Sequence, residues 1–462
     1  MKKASKILCL LAVSAFVTAC NNDPKPPVVI SLDLSNAIAL FNGNCSTEGR
    51  ETSFALYKVD EKGVTSRVSV KTKKSDDDPY FYEDFLFADL KDVSDEYFLA
   101  ELGCSPSNRY INNCFVNKKT GQAYKLDGDY VNFAYDYWLD STNPMRDFAK
   151  DGNGSYYTRA YDRKIQSYVL AKFAVTDKKV KVENIGTLPE VRLNSDTNCP
   201  FNEFAVDKDG NIAYRGALGT GSSWRYVTAD KKELTIDSRM AVWTGYDGEI
   251  YAYRAGNIEK LSYNKNTNQV EATIVKEYPY LQNADLLNMK ILYIDKTQQI
   301  YGYTTGPKYE FILHQLYGDN ALEEPLVFTV DDISRLDASS NPVISKDGYA
   351  HSSVDCDEDC IYIGGKDGNN FVINKIDTTK NMELSRAKYY VEYNDGTRYL
   401  NNKKGVVFYW NSDSEINCPP GESTAAMSVG ILDLNTGEIT KQDSFVTGNS
   451  DRSSVINLKS YK

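Results

Sequence analysis

The sequence predicts an all-β protein, a β-propeller of seven or eight four-stranded blades, with eight preferred. Two observations carry this. A strand–turn–strand hairpin recurs eight times, at 54–70, 114–126, 170–185, 224–236, 260–275, 311–328, 371–384 and 429–442, spaced about 54 residues apart on average. Another strand pair precedes each hairpin, and its second member is often aromatic, as in NIAYRG, EIYAYRAG, QIYGYTTG and VVFYWN. Apolar residues at helical spacing are rare over any long window. The competing all-β arrangement is two or three sandwiches in series.

The blades are expected at roughly 28–70, 80–126, 145–185, 202–236, 240–275, 290–328, 342–384 and 397–442. The segment 204–237 shows the plan: FAV, the turn DKDG, NIAYRG, a Gly/Ser loop, WRYVTA, the turn DKKE, then ELTID. Each run is short, β-branched or aromatic, and bounded by turn formers. Blade 1 is the least regular, because VVISLDLSNAIALFNG reads either as a full pair or as a closing strand. SSVINLKS, near the C-terminus, is expected to pair with blade 1 and seal the ring, since an uncovered strand edge must be satisfied.

Residues 1–19 read as a secretory signal: Lys2, Lys3 and Lys6, then the apolar run 7–17, too short to span a bilayer. Val17-Thr18-Ala19-Cys20 resembles a bacterial lipobox, which implies cleavage before Cys20 and lipid on its thiol. Residues 20–27 then form a polar, proline-rich tether, and 28–462 the single propeller domain. Asn21 differs from the Asp that resembles an inner-membrane retention signal, so an outer-membrane lipoprotein in the cell envelope is expected. Losing three lysines deepens the net charge from −11 to −14. An acidic chain without basic tracts argues against nucleic acid.

The turns LDLNTGEIT and VNKKTGQAYKL resemble the D-x-x-T-G units of bacterial propeller proteins, among them the eight-bladed lipoproteins of the outer-membrane β-barrel assembly machinery. The resemblance implies a propeller. It assigns no functional residues.

Catalytic patterns are sparse. His314 and His351 are the only histidines and read as strand or loop residues. Asp355, Asp357 and Asp359 do not form an EF-hand loop, because Cys360 and Lys366 stand where Gly and Glu are needed. DKDGN at 207–211 fails likewise, and both read as tight turns. No catalytic residue, metal or cofactor is expected. Of nine cysteines, Cys9 leaves with the signal and Cys20 takes the lipid. In an exported chain the remainder suggests disulfides. Cys104 and Cys114 bracket one loop, Cys356 and Cys360 one turn, and Cys45 and Cys418 occupy equivalent loops of blades 1 and 8. Cys199 is left over.

The loops between second and third strands, and those between blades, share one face of a propeller. Long loops on one face point to binding. Arg215, Trp224, Arg254, Tyr303 and Trp410, near the ends of second strands, are the candidates for ligand contact. The expected role is a membrane-anchored binding or scaffold protein with a protein or glycan partner in the envelope. The alternative is an extracytoplasmic glycan hydrolase or lyase.

Overall fold

A computed structural model describes residues 29–45, 53–73, 85–104, 112–128, 130–131, 148–177, 179–188, 204–218, 221–237, 241–281, 289–305, 310–319, 322–329, 354–367, 369–391, 394–400, 403–410, 426–447 and 455–458. The signal segment, Cys20, the tether, Cys199, His351 and Cys418 lie outside these residues. Every regular element among the described residues is a strand, and the strands form an eight-bladed β-propeller.

From the inner strand outward, blade 4 is Phe204–Val206, Ile212–Leu218, Gly221–Val227 and Glu233–Thr235. Blade 5 is Ala241–Thr244, Ile250–Arg254, Asn257–Asn264 and Gln269–Glu277. Blade 6 is Lys290–Ile294, Gln299–Thr305, Phe311–Tyr317 and Leu326–Phe328. Blade 7 is Val354–Cys356, Cys360–Asp367, Asn370–Asp377 and Glu383–Tyr389, and blade 8 is Asn394–Leu400, Lys404–Trp410, Ala426–Asp433 and Ile439–Thr447. In blade 3 the inner position is shared by two short strands, Tyr130–Val131 and Ala149–Lys150, which pair opposite ends of Tyr156–Asp162. Ser167–Val175 and Val180–Thr187 complete it.

The ring closes at blade 1, as the C-terminal strand signal predicts. Ile456–Asn457 pairs with Ala39–Cys45 and supplies the inner strand, followed by Ser53–Val59 and Thr65–Arg67. One expected placement is corrected. Val29–Leu32 is not the inner strand of blade 1. It joins blade 2, which runs Phe85–Asp92, Tyr97–Cys104, Asn112–Asn117 and Gln122–Lys125. There it pairs with Gln122 and Ala123, and Val70–Lys73 adds a further strand outside it. The N-terminal strand thus covers an outer edge that would otherwise present bare N–H and C=O groups.

Strand alternation sends successive side chains to opposite faces of each blade. Each interface between neighbours therefore collects its own apolar cluster, and eight clusters serve eight interfaces. At the seam, Phe41 of blade 1 meets Phe408 of blade 8 edge to face at 5.1 Å, both fully buried. Burying such a ring contributes roughly 1.5–3 kcal/mol.

The same alternation corrects two expected disulfides. Cys356 packs toward the cluster between blades 6 and 7, whereas Cys360 packs between blades 7 and 8. They sit on opposite faces of one sheet, and neither is in a disulfide. Cys114 is likewise outside any disulfide and is buried between blades 1 and 2. Its register partner is Ala100, so the backbone of Cys104 lies four residues further along the strand, about 13 Å away. A bridge needs Cα atoms within about 7 Å. The Cys45–Cys418 pairing falls partly outside the described residues, although blades 1 and 8 are neighbours as it requires.

Candidate functional site

The two faces of the ring are built differently. On one face lie the turns from first to second strands and from third to fourth. In blades 3, 4, 5 and 7 the first kind are short and are organised by an acidic residue. Asp151 Oδ1 accepts from the backbone N–H groups of Asn153 and Ser155, at 2.9 and 2.8 Å, and its Oδ2 accepts from the Tyr157 hydroxyl at 2.9 Å. Asp357 does the same with Asp359, Cys360 and the hydroxyl of Tyr362. Asp247 accepts from the N–H of Glu249 and the hydroxyl of Tyr251. In blade 4, Asp207 accepts from Asp209 N, Asn211 N and Asn211 Nδ2. Such turns hold the hairpin and use the carboxylate fully.

These turns are also tied to one another. Gly152 N donates to Lys208 O at 2.9 Å, and Lys208 N donates to Gly248 O at 2.7 Å, joining blades 3, 4 and 5. The Tyr246 hydroxyl donates to Asp295 between blades 5 and 6, and Lys296 N donates to Glu358 O between blades 6 and 7. A Cβ on Gly152 would stand 2.4 Å from Lys208 O, so the approach requires glycine.

Asp357, Asp359 and Cys360 bring three possible metal-ligand atoms within 4.8 Å of one another. Their chemistry is that of an ion-pair node. Both Asp357 oxygens are occupied. Asp359 Oδ2 meets the ammonium of Lys296 at 2.9 Å and of Lys403 at 3.7 Å, one from each neighbouring blade. Burial pushes the Asp359 carboxyl up, but Lys296, Cys360 and Lys403 outweigh it and hold it below its ordinary value. Burial drives the Cys360 thiol up to about 12, so it stays protonated and is a poor ligand.

The opposite face carries the connections from second to third strands and between blades. Some are tight, such as 255–256 in blade 5. The strand ends that bound 105–111, 188–203, 329–353 and 411–425 lie on this face, whereas 132–148 interrupts the inner strand of blade 3 and the eight-residue connection 318–325 of blade 6 belongs to the first face. Arg215, Arg254, Tyr303 and Trp410 lie in second strands near this face, and Trp224 pairs directly with Arg215. The face assignment therefore brings the backbones of the five to one side of the ring, in blades 4, 5, 6 and 8. Their side chains divide. Trp224 is buried between blades 4 and 5, and Tyr303 between blades 6 and 7, where it packs on Phe311 at 5.3 Å. Both are core residues, and the surface is left to the others. Arg254 is partly exposed and pairs with Asp237, in the connection from blade 4, at 3.0 Å. Arg215 is half-buried, and the side chain of Trp410 lies outside the description.

His314 is a strand residue, as expected, buried between the hydroxyls of Tyr278 at 3.2 Å and Thr304 at 3.0 Å. Burial lowers its pKa to about 4, so it is neutral near pH 7. A cleft of about 400 Å³ between blades 5 and 6 is lined by Gln298, Gln315 and Asp319 among others. No pattern in the sequence marks these residues, because the cleft arises from unequal strand lengths.

Fold and site together define an all-β, eight-bladed propeller with one locked face and one long-loop face. No family model matches the sequence, and no curated protein matches it. Three solved structures are similar to this chain at low identity. A protein from Lactobacillus plantarum is 11% identical over 76% of this chain and 96% of its own, with a TM-score of 0.35. TolB from Acinetobacter baumannii is 9% identical over 81% and 82%, with a TM-score of 0.29. The polysaccharide lyase Uly1 is 10% identical over 88% and 99%, with a TM-score of 0.32.

Proposed function

We propose that this chain is a lipid-anchored cell-envelope propeller that binds a protein or glycan partner through its long-loop face. One observation carries the reading: the strand ends that bound 105–111, 188–203, 329–353 and 411–425 lie on one face, while hydrogen bonds tie the turns of blades 3 to 7 together on the other. A rigid ring presenting variable loops on one side is a binding architecture. The buried acids Asp151, Asp207 and Asp357 are committed to turns, which favours binding over a hydrolase or lyase reaction. The lipobox-like run ending at Cys20 supplies the anchor and the outer-membrane address.

Capture from detergent-solubilised envelopes tests the face. The mature chain should retain a partner that is lost when residues 411–425 are replaced by a short Gly/Ser turn. Equal capture by both proteins would reject the loop face. Cys20→Ser should move the protein from the membrane fraction to the soluble fraction and abolish its lipid labelling. Membrane retention of that variant would reject the anchor.

A further inference from the structure

We infer that the cleft between blades 5 and 6 is a second binding site, for a neutral, hydroxyl-rich ligand such as a saccharide unit. The cleft follows from a mismatch between neighbours. The outer strand of blade 5 spans Gln269–Glu277, but that of blade 6 is only Leu326–Phe328 and pairs only Phe311, Ile312 and Leu313. The third strand of blade 6 therefore continues past its outer partner through Tyr317, and a cavity of about 400 Å³ opens beside it. That volume is within the roughly 300–1,000 Å³ typical of small-molecule sites.

Its polar groups select the ligand. Gln315 lines the cleft and is 1% exposed. Its Oε1 accepts from Leu322 N at 2.5 Å, but its Nε2 is buried with no hydrogen-bond partner. A buried unpaired donor is unfavourable, and a ligand oxygen would offset that cost. The lysine that lines the cleft is already engaged. The Lys276 ammonium donates to Leu322 O at 2.6 Å and lies 4.6 Å from the Tyr278 ring centre. The free donor is thus a neutral amide. Asp319, exposed at the mouth, offers an acceptor for hydroxyl protons and repels anions. Tyr251 and Tyr317, edge to face at 5.2 Å, supply an apolar wall. Amides, one carboxylate and aromatic rings together suit a sugar better than a phosphate or an apolar ligand.

Saturation-transfer NMR on the full mature chain, with cellobiose and N,N′-diacetylchitobiose as probes at millimolar concentration, tests the site. At least one probe should receive saturation on its ring protons. Gln298→Gly, which suits the positive φ there, and Gln315→Leu should each weaken that binding at least tenfold. Gln315→Leu removes the unpaired donor but also the acceptor of Leu322 N, so its melting temperature should stay within a few degrees of the wild-type value. If Gln315→Leu does not fold, Gln298→Gly and Asp319→Asn decide alone. No transfer to either probe, or a change below threefold in these variants, would overturn the site. Partner capture is read from the 411–425 replacement on the other face, so either idea can fail without the other.

Discussion

His314 shows how one buried side chain sets a pH dependence. Its folded pKa, about 4, lies below its unfolded value near 6.5. The neutral form is the one buried, so its contribution is fully present above pH 6.5 and is lost as pH falls toward 4. The loss is about 3 kcal/mol by pH 4. Urea unfolding at pH 7.5, 5.5 and 4.5 should show the decline, and His314→Gln should flatten that part of it. The turn acids act through geometry. Asp357→Ala removes the acceptor for two N–H groups and the Tyr362 hydroxyl, and should lower the unfolding free energy by about 3 kcal/mol, read from denaturant unfolding. Burial pushes the Cys114 and Cys360 thiols up to about 12. Brief iodoacetamide treatment of the native protein should label neither, and fast labelling would show that the blades open.

At the scale of the element, the two terminal strands do different work. Ile456 is 2% exposed, pairs with Leu40 and packs into the cluster between blades 1 and 2. It is the point where the two ends of the chain are joined. Ile456→Ala should cost about 3 kcal/mol. Truncation after residue 451 should lower the melting temperature further and admit protease at the seam. An unchanged melting temperature in the truncated chain would show that the ring does not depend on this closure. Val29–Leu32 covers the rim of blade 2. Its sequence suits a strand, but nothing in it names a partner, because edge pairing is made by main-chain groups that every residue carries.

For the molecule as a whole, the rim position of Val29–Leu32 limits where an anchor can hold the ring. If Cys20 carries the proposed lipid, residues 21–28 reach at most about 30 Å. Blade 2 then stays nearer the bilayer than blade 6. A fluorescent label on Lys119→Cys, in an exposed turn of blade 2, should be quenched more by spin-labelled lipid than one on Val327→Cys in blade 6. Equal quenching would show that the tether does not orient the ring.

The sequence by itself determined the class of fold, the eight hairpins, the tight Asp turns and the strand that closes the ring. These follow from local rules: period-two alternation, β-branched and aromatic runs, turn residues, and the need to satisfy an open edge. Tertiary structure alone decided the remainder. Trp224 and Tyr303 were legible as strand residues near one face, but their burial depends on which neighbour each strand face meets. Cys356 and Cys360 are close in sequence, yet sheet parity turns them to different interfaces. The cleft beside Gln315 exists because the outer strand of blade 6 stops after three residues beside a nine-residue outer strand in blade 5. Such features depend on the lengths and partners of strands far apart in the chain, and local pattern carries no record of them.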